Sequence, residues 1–320
     1  MILITGANGF IGSALVNEFN SRGQEDIICT DLVSISDRPA PLKNSKYKQF
    51  MLASELWAWL KTDEANKLTH IYHMGACSDT TETNKDFLDS NNTDYTNKLF
   101  NFCAQKNITF FYASSAAVYG DGENGFNDSD SHSLYTPLNL YGLSKQKSDL
   151  FTTAQDSTPP SWYGLRFFNV YGFNEAHKDH MRSLVHKAYF QIKDTGSLKL
   201  FKSHKDEYQD GCQKRDFVYV KDITRWIAEM SDGEMASGIY NMGSGKARTW
   251  LDLAKGIFTS LKLPVKIEWI DIPESIREQY QYFTEANMSK PFESGLSQPR
   301  WPLEEGINHY IENHLSHEKN

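Results

Sequence analysis

The first twelve residues constrain this chain more than any others. An apolar run, Met1–Ile4, leads into Thr5-Gly6-Ala7-Asn8-Gly9-Phe10-Ile11-Gly12 and then into a helical pattern over Ile11–Ser21. A strand, a glycine-rich turn and a helix in that order let backbone approach a pyrophosphate and rest it on a helix N-terminus. One glycine serves the tight turn, one the close approach and one the helix–strand packing. The spacing is G-x-x-G-x-x-G, not G-x-G-x-x-G, so the turn alone also fits a loop with no ligand. Its place after a clean strand favours the dinucleotide, and so does Asp31. That carboxylate ends the next apolar run, DIICTD, about twenty residues on, where it can hold a ribose hydroxyl. Asp31 favours NAD, because a carboxylate repels a 2′-phosphate. Arg38 can pair that phosphate if its loop folds back. The residues leave this choice open.

The rest of the first half repeats the rhythm. MILIT, DIICTD, HIYHMGA, ITFFYAS and SWYGLRFFN read as buried parallel strands, with amphipathic stretches at Ile11–Ser21, Asn92–Gln105 and Leu143–Gln155 between them. The expected class is α/β, a doubly wound parallel sheet with a smaller, discontinuous α/β C-terminal domain. The pattern divides as 1–168 for the nucleotide domain, with 215–242 returning to it through FVYVKDI and GIYNMGS, and 169–214 plus 243–320 for the second domain. His204–Lys214 is polar and aperiodic and reads as a surface loop.

Composition excludes several classes. With 320 residues, 39% of them hydrophobic and 23% charged, the chain is neither disordered nor fibrous. No apolar stretch approaches the ~20 residues that span a bilayer. The N-terminus has no basic leader, so a cytoplasmic location is expected. Lys and Arg total 33 against 41 Asp and Glu, a net charge of −8 that argues against a general nucleic-acid binder. Cys29, Cys77, Cys103 and Cys212 show no paired spacing and read as reduced thiols, with a reactive role conceivable for Cys77 and Cys212 in their loops. His70-x-x-His73 and His177-x-x-His180 have no further ligand at metal spacing, so no metal is expected.

Oxidising a secondary alcohol by hydride transfer needs a base for the hydroxyl proton. A tyrosine serves if a nearby ammonium lowers its pKa, and a lysine four residues on shares its helix face. Sixteen tyrosines and twenty-four lysines make such a pair common by chance, and the chain has two: Tyr141/Lys145 and Tyr189/Lys193. Tyr141 follows a strand and the turn Ser114-Ser115-Ala116-Ala117, where a serine can bond the same reacting oxygen. Tyr189 has no such turn and reads as packing.

With the glycine turn, Ser115 and Tyr141/Lys145 in hand, the chain resembles the extended short-chain dehydrogenases/reductases that act on nucleotide sugars. TGANGFIG, GACS, YASSAAVYG, PLNLYGLSK, RFFNVYG and RDFVYV occur in the right order. GACSDTTE, NVYGFNEAHKDHM, KRDFVYVKD and QYQYFTEA narrow the likeness to the ADP-L-glycero-D-manno-heptose 6-epimerases, from Met1 to the C-terminal helix. The resemblance implies a Rossmann domain binding NADP, with NAD possible. It also implies a small-molecule ADP-heptose substrate for lipopolysaccharide core, homo-oligomers, and inversion at C6 through a transient ketone. Tyr141 would be one acid/base and Lys178 the second, with Ser115 and Lys145 supporting. Gly6, Gly9, Phe10, Ile11, Gly12, Asp31, Leu32, Arg38, Met74, Gly75, Ala76, Cys77, Ser78, Asn91, Tyr141, Lys145 and Lys178 match cofactor positions. Ser115, Asn169, Val170, His180, Lys187, Phe201, Arg215 and Tyr280 match substrate positions. Leu32 and His180 replace polar family residues, Arg38 replaces a lysine, and the Ser203–Lys214 loop is longer than usual.

A UDP-hexose 4-epimerase would share the turn, Ser115 and Tyr141 without needing Lys178. A 4,6-dehydratase would place Asp-Glu where Ala116-Ala117 stand. A non-enzymatic redox sensor could bind the dinucleotide and dispense with Tyr141.

Overall fold

The computed structural model describes residues 1–277 and 280–318, so Gln279, which opens one of the resemblance strings, lies outside the described residues. In chain order the elements are β1 (Ile2–Thr5), α1 (Phe10–Ser21), β2 (Ile27–Asp31), β3 (Gln49–Leu52), β4 (His70–His73), α2 (Tyr95–Lys106), β5 (Thr109–Ser115), α3 (Leu140–Thr153), β6 (Trp162–Phe167), β7 (Asn169–Tyr171), α4 (Leu184–Thr195), β8 (Leu198–Phe201), β9 (Lys214–Tyr219), α5 (Val220–Asp232), β10 (Gly238–Met242), β11 (Ala247–Thr249), α6 (Trp250–Ser260), β12 (Ile267–Ile270) and α7 (Leu303–Asn313), with shorter helical turns between them.

Seven strands form one parallel sheet in the order β10-β6-β5-β4-β1-β2-β3. β1 and β2 are buried along their whole length, which is why they read as continuous apolar runs instead of alternating. The chain leaves β1 toward β2 on one side and returns to β4 on the other. Such a switch point opens a crevice at the carboxyl ends of the strands. Thr5, Asp31, His73 and Ser115 all end strands there.

The second lobe has a three-stranded sheet, β11-β9-β7, and a parallel pair, β12-β8. The apolar run in FVYVKDI does not return to the main sheet. Its strand is β9, paired with β7 and β11, while Val220 onward begins α5, and the main sheet regains the chain only at β10. A short buried strand gives the same apolar run whichever sheet it joins. β3 escapes sequence reading for a related reason: QFML has no alternation and one buried residue.

Asp216 on β9 organises this lobe. Buried completely, it accepts hydrogen bonds from the Ser244 N–H and hydroxyl and from the Gly245 and Ala286 N–H groups. Burial pushes its carboxyl up to about 6 despite these donors.

Candidate active site

β1 ends at Thr5, and the chain turns at Gly6 in left-handed backbone, φ +63°. A side chain at Gly6 would start 2.5 Å from the Gly75 Cα, and one at Gly12 would start 2.0 Å from the Gly6 carbonyl oxygen. Only hydrogen fits either place. α1 therefore docks directly on the turn. No side chain caps its N-terminus at Gly9, which leaves N–H groups facing the crevice. The cleft there has a volume of about 390 Å³. Gly6, Gly9, Phe10, Ile11, Gly12, Asp31, Leu32, Arg38, Met74–Ser78, Asn91 and Lys178 all line it. Of the cofactor positions expected from sequence, only Tyr141 and Lys145 stand behind this wall.

The loop after β2 folds back over the turn. Asn8 donates its side-chain amide to the Arg38 carbonyl at 2.9 Å, and Arg38 Nη1 donates to the Asn8 carbonyl at 3.1 Å. Asp31 accepts from the N–H groups of Asn8 and Val33 at 2.9 and 3.1 Å. One carboxylate and one guanidinium thus share a wall, and the guanidinium has further N–H donors to offer. Leu32 between them is exposed.

Two buried polar atoms on cleft-lining residues, Thr30 Oγ1 and the Tyr95 hydroxyl, have no hydrogen-bond partner among the described residues. Such atoms are ordinarily paired. With the uncapped helix terminus and the glycine cradle, these residues fit a dinucleotide.

The catalytic candidates approach from α3 and β5. Asn139 caps α3 by accepting from the Gly142 N–H at 2.8 Å, and Ser115 accepts from the Ala117 N–H at 3.1 Å. The Ser115 hydroxyl is near enough to the Tyr141 phenol to favour its ionised form. Lys145 is 3% exposed; its Nζ donates to the Ala113 carbonyl at 2.9 Å and lies 6.0 Å from the Tyr141 ring centroid. The expected depression of the tyrosine by the lysine is not what this geometry gives. Burial raises the Tyr141 phenol, opposed by the nearby Ser115 hydroxyl. Burial also brings the Lys145 ammonium down to about 8, opposed by the Asp149 carboxylate and by Cys77. Asn92 ties this group to the cleft wall: it bonds the Cys77 N–H and carbonyl at 2.9 and 3.0 Å and donates to the Ser144 hydroxyl at 3.0 Å.

Lys178 comes from the turn Ala176–Met181, in which Asp179 has left-handed backbone, φ +47°. Its Nζ lies 5.8 Å from the Phe10 ring centroid, and burial lowers its ammonium, opposed by Glu175. Buried Glu175 pins the segment by accepting from the Gly172 N–H at 3.2 Å and the Ser183 hydroxyl at 2.7 Å. Asn174 ties it to the nucleotide lobe, donating to Ser13 Oγ at 3.0 Å and the Pro41 carbonyl at 3.3 Å.

In the second lobe Arg215 is 7% exposed, with its guanidinium 5.8 Å from the Trp250 ring and 5.3 Å from the Tyr280 ring. It donates to the carbonyls of Lys214 and Gln281. Phe201 meets Tyr280 edge-on at 6.2 Å, so three expected substrate residues form one cluster. His180 and Lys187 do not join it. His180 is exposed and pairs with Asp79 of the cleft wall at 3.3 Å, and Lys187 donates to the His180 carbonyl at 3.3 Å. Asn169 is exposed and Val170 half-buried at the start of β7.

Sequence reasoning passed over Tyr95, Thr30 and His177, all in the cleft wall. His177, driven down to about 4 by burial and by Arg38 and Lys178, stood out in sequence only as half of a rejected metal pair with His180. Asn91 and Asn92 lie in a π-helical turn, Asp89–Asp94, a form no residue pattern announces. Burial raises the Cys77 thiol, which disfavours a reactive role. Among the described residues no helix is long and apolar enough to cross a membrane.

The model of the NAD dependent epimerase/dehydratase family matches residues 2–243. ADP-L-glycero-D-manno-heptose-6-epimerase from Fusobacterium nucleatum is 43% identical over 99% of both chains. The protein of that name from Nitratidesulfovibrio vulgaris is 42% identical over 99% of this chain and 98% of its own. The crystal structure of ADP-L-glycero-D-manno-heptose-6-epimerase from Helicobacter pylori superposes with a TM-score of 0.83 at 26% identity, covering 98% of this chain and 95% of that one.

Proposed function

The chain belongs to the NAD dependent epimerase/dehydratase family and, within it, to the ADP-L-glycero-D-manno-heptose-6-epimerases, and we propose from that premise which of its residues invert C6 and which cofactor they use. It is an isomerase of a nucleotide sugar that works with a nicotinamide dinucleotide. The observation that carries the residue assignment is the half-buried Ser115 and buried Tyr141 set beside Lys145, tied through Asn92 to the wall of the cleft that Lys178 lines from a different element.

When bound, the nicotinamide would take a hydride from C6 and return it. Inversion requires the ketone to turn its other face to that same donor, so its oxygen meets a different proton donor each time. We assign Tyr141 to one orientation and Lys178 to the other. Ser115 holds the reacting oxygen, and Lys145 steadies the phenolate that forms when Tyr141 gives up its proton. Burial lowers the Lys178 ammonium, which makes its proton easier to give up. In the second lobe, Arg215 between Trp250 and Tyr280 offers a fork for the diphosphate. Lys178→Met should lose about 10²-fold in kcat in both directions. A variant at wild-type rate would remove Lys178 from the mechanism.

For the cofactor we favour NADP, supported by Arg38 on the Asp31 wall with guanidinium donors to spare. Arg38→Met should weaken NADP binding by about tenfold and leave NAD unchanged, as read by fluorescence titration. Equal weakening of both would withdraw the preference. A cytoplasmic homo-oligomer goes with this reading, and light scattering on the purified chain tests the assembly.

A further inference from the structure

α3 grips β5 through two side chains four residues apart. Lys145 donates to the Ala113 carbonyl at 2.9 Å. Asp149 accepts from the Tyr112 and Ser114 hydroxyls, each at 3.0 Å. Tyr112, Ala113 and Ser114 are thus tied in succession to one helix, and the next residue is Ser115. From the other side, β6 places Arg166 opposite Ser114, and Arg166 Nε donates to the same Asp149 oxygen at 2.9 Å. Both members of the pair are 0% exposed. The Arg166 guanidinium lies 4.8 and 5.6 Å from the Tyr119 and Tyr135 ring centroids, and its Nη2 donates to His132 Nδ1 at 3.2 Å. A buried ion pair gains little stability over apolar residues of the same volume. Stability alone therefore gives no reason for three elements to converge on one carboxylate directly behind the site.

We propose that Asp149 is a positioning residue for the reaction: it fixes the Ser114–Ser115 strand end against the helix carrying Tyr141 and Lys145. One turn along that helix from Lys145, its carboxylate also favours the charged form of the lysine. This rests on the roles given to Ser115, Tyr141 and Lys145 above. Asp149 is the largest influence opposing burial at Lys145. The other groups facing that ammonium are Tyr141 on the same helix, His73 on β4 and Cys77 just beyond it. Those facing Asp149 are Tyr112, Arg166 and His132, the last held neutral with its pKa down to about 4. No other carboxylate supports the lysine among the described residues.

The test uses the full chain with its dinucleotide bound and ¹³Cε-labelled lysine, so that Lys145 is titrated by NMR without turnover. Asp149→Asn keeps the shape and removes the charge. Ser114→Ala keeps the charge and removes one bond to the strand. In Asp149→Asn the Lys145 titration should move down by about one pH unit or more. In the same variant kcat should fall about 10²-fold with KM within about threefold. Ser114→Ala should leave the titration in place and lower kcat about tenfold at unchanged KM. A Lys145 titration unmoved by Asp149→Asn overturns the proposal, and so does wild-type kcat in Ser114→Ala. Should Asp149→Asn not fold, Ser114→Ala alone decides. Because the titration needs no substrate, a chain that fails to epimerise but shows the expected shift would refute the assigned reaction and keep this inference.

Discussion

Two tyrosine–lysine pairs of identical spacing sit in this molecule, and our proposal gives chemistry to only one. Tyr189 and Lys193 make the more direct contact: Lys193 Nζ donates to the Tyr189 hydroxyl at 3.3 Å and lies 5.2 Å from its ring centroid. Tyr141 and Lys145 make no such bond; the ammonium goes to a strand carbonyl. Yet Lys193 is exposed on α4, and Tyr189 packs in the second lobe's core with Val185, Ile192 and Leu198. Lys145 is buried, its partner phenol has the Ser115 hydroxyl near it, and Asn92 couples their helix to the cleft. Spacing alone therefore provides a contact, while the proposed role rests on what encloses the pair: a serine at a strand end, a desolvated ammonium and an adjoining cleft.

The sharpest way to break this contrast is to remove each hydroxyl. Tyr141→Phe should cut kcat about 10³-fold, whereas Tyr189→Phe should stay within about twofold in the same assay. Equal losses, or none, would abolish the distinction. In stability the order reverses when the Tyr189 ring is removed and Tyr141 loses only its hydroxyl. Tyr189→Ala leaves a cavity in a packed core and should cost about 3–5 kcal/mol in urea denaturation. Tyr141→Phe should change stability by less than about 1 kcal/mol, because it removes a single hydroxyl. The smallest effect is in pH. The Lys145 ammonium, brought down to about 8, is present below that pH and lost above it. If the charged form is required, kcat should decline above about pH 8, by about tenfold per unit at the limit. Lys193→Met should leave that limb where it is, and a limb that follows Lys193 would assign it to the wrong lysine.

How much of this was legible beforehand follows from how each part is built. The glycine turn could be read because steric exclusion at Gly6 and Gly12 demands particular residues at fixed spacing, and strand ends with Asp31 and Ser115 follow from local sequence. The strands of the main sheet could be read because buried parallel strands are apolar on both faces. The second lobe could not be read so well. Arg215 and Tyr280 were marked only through short strings shared with the family, Trp250, which meets Arg215 from a third segment, was not marked at all, and β9 looked like a strand of the other sheet. Tyr95 and His177 were hidden for the same reason, since their place in the cleft depends on a π-helical turn and on the left-handed backbone at Asn174. The expected depression of Tyr141 by Lys145 failed on magnitude: burial of the phenol outweighs a cation 6.0 Å from the ring centroid.

The central claim is that C6 is inverted by removing and returning its own hydrogen as hydride. It is tested most directly by proton NMR of the purified chain with ADP-D-glycero-D-manno-heptose in D₂O, with no cofactor added. The account predicts the C6 epimer with protium retained at C6 and no accumulation of reduced nicotinamide. Deuterium at C6 would contradict it by showing proton abstraction from carbon. Absence of the epimer after NADP and then NAD are supplied to the folded protein would contradict it as well.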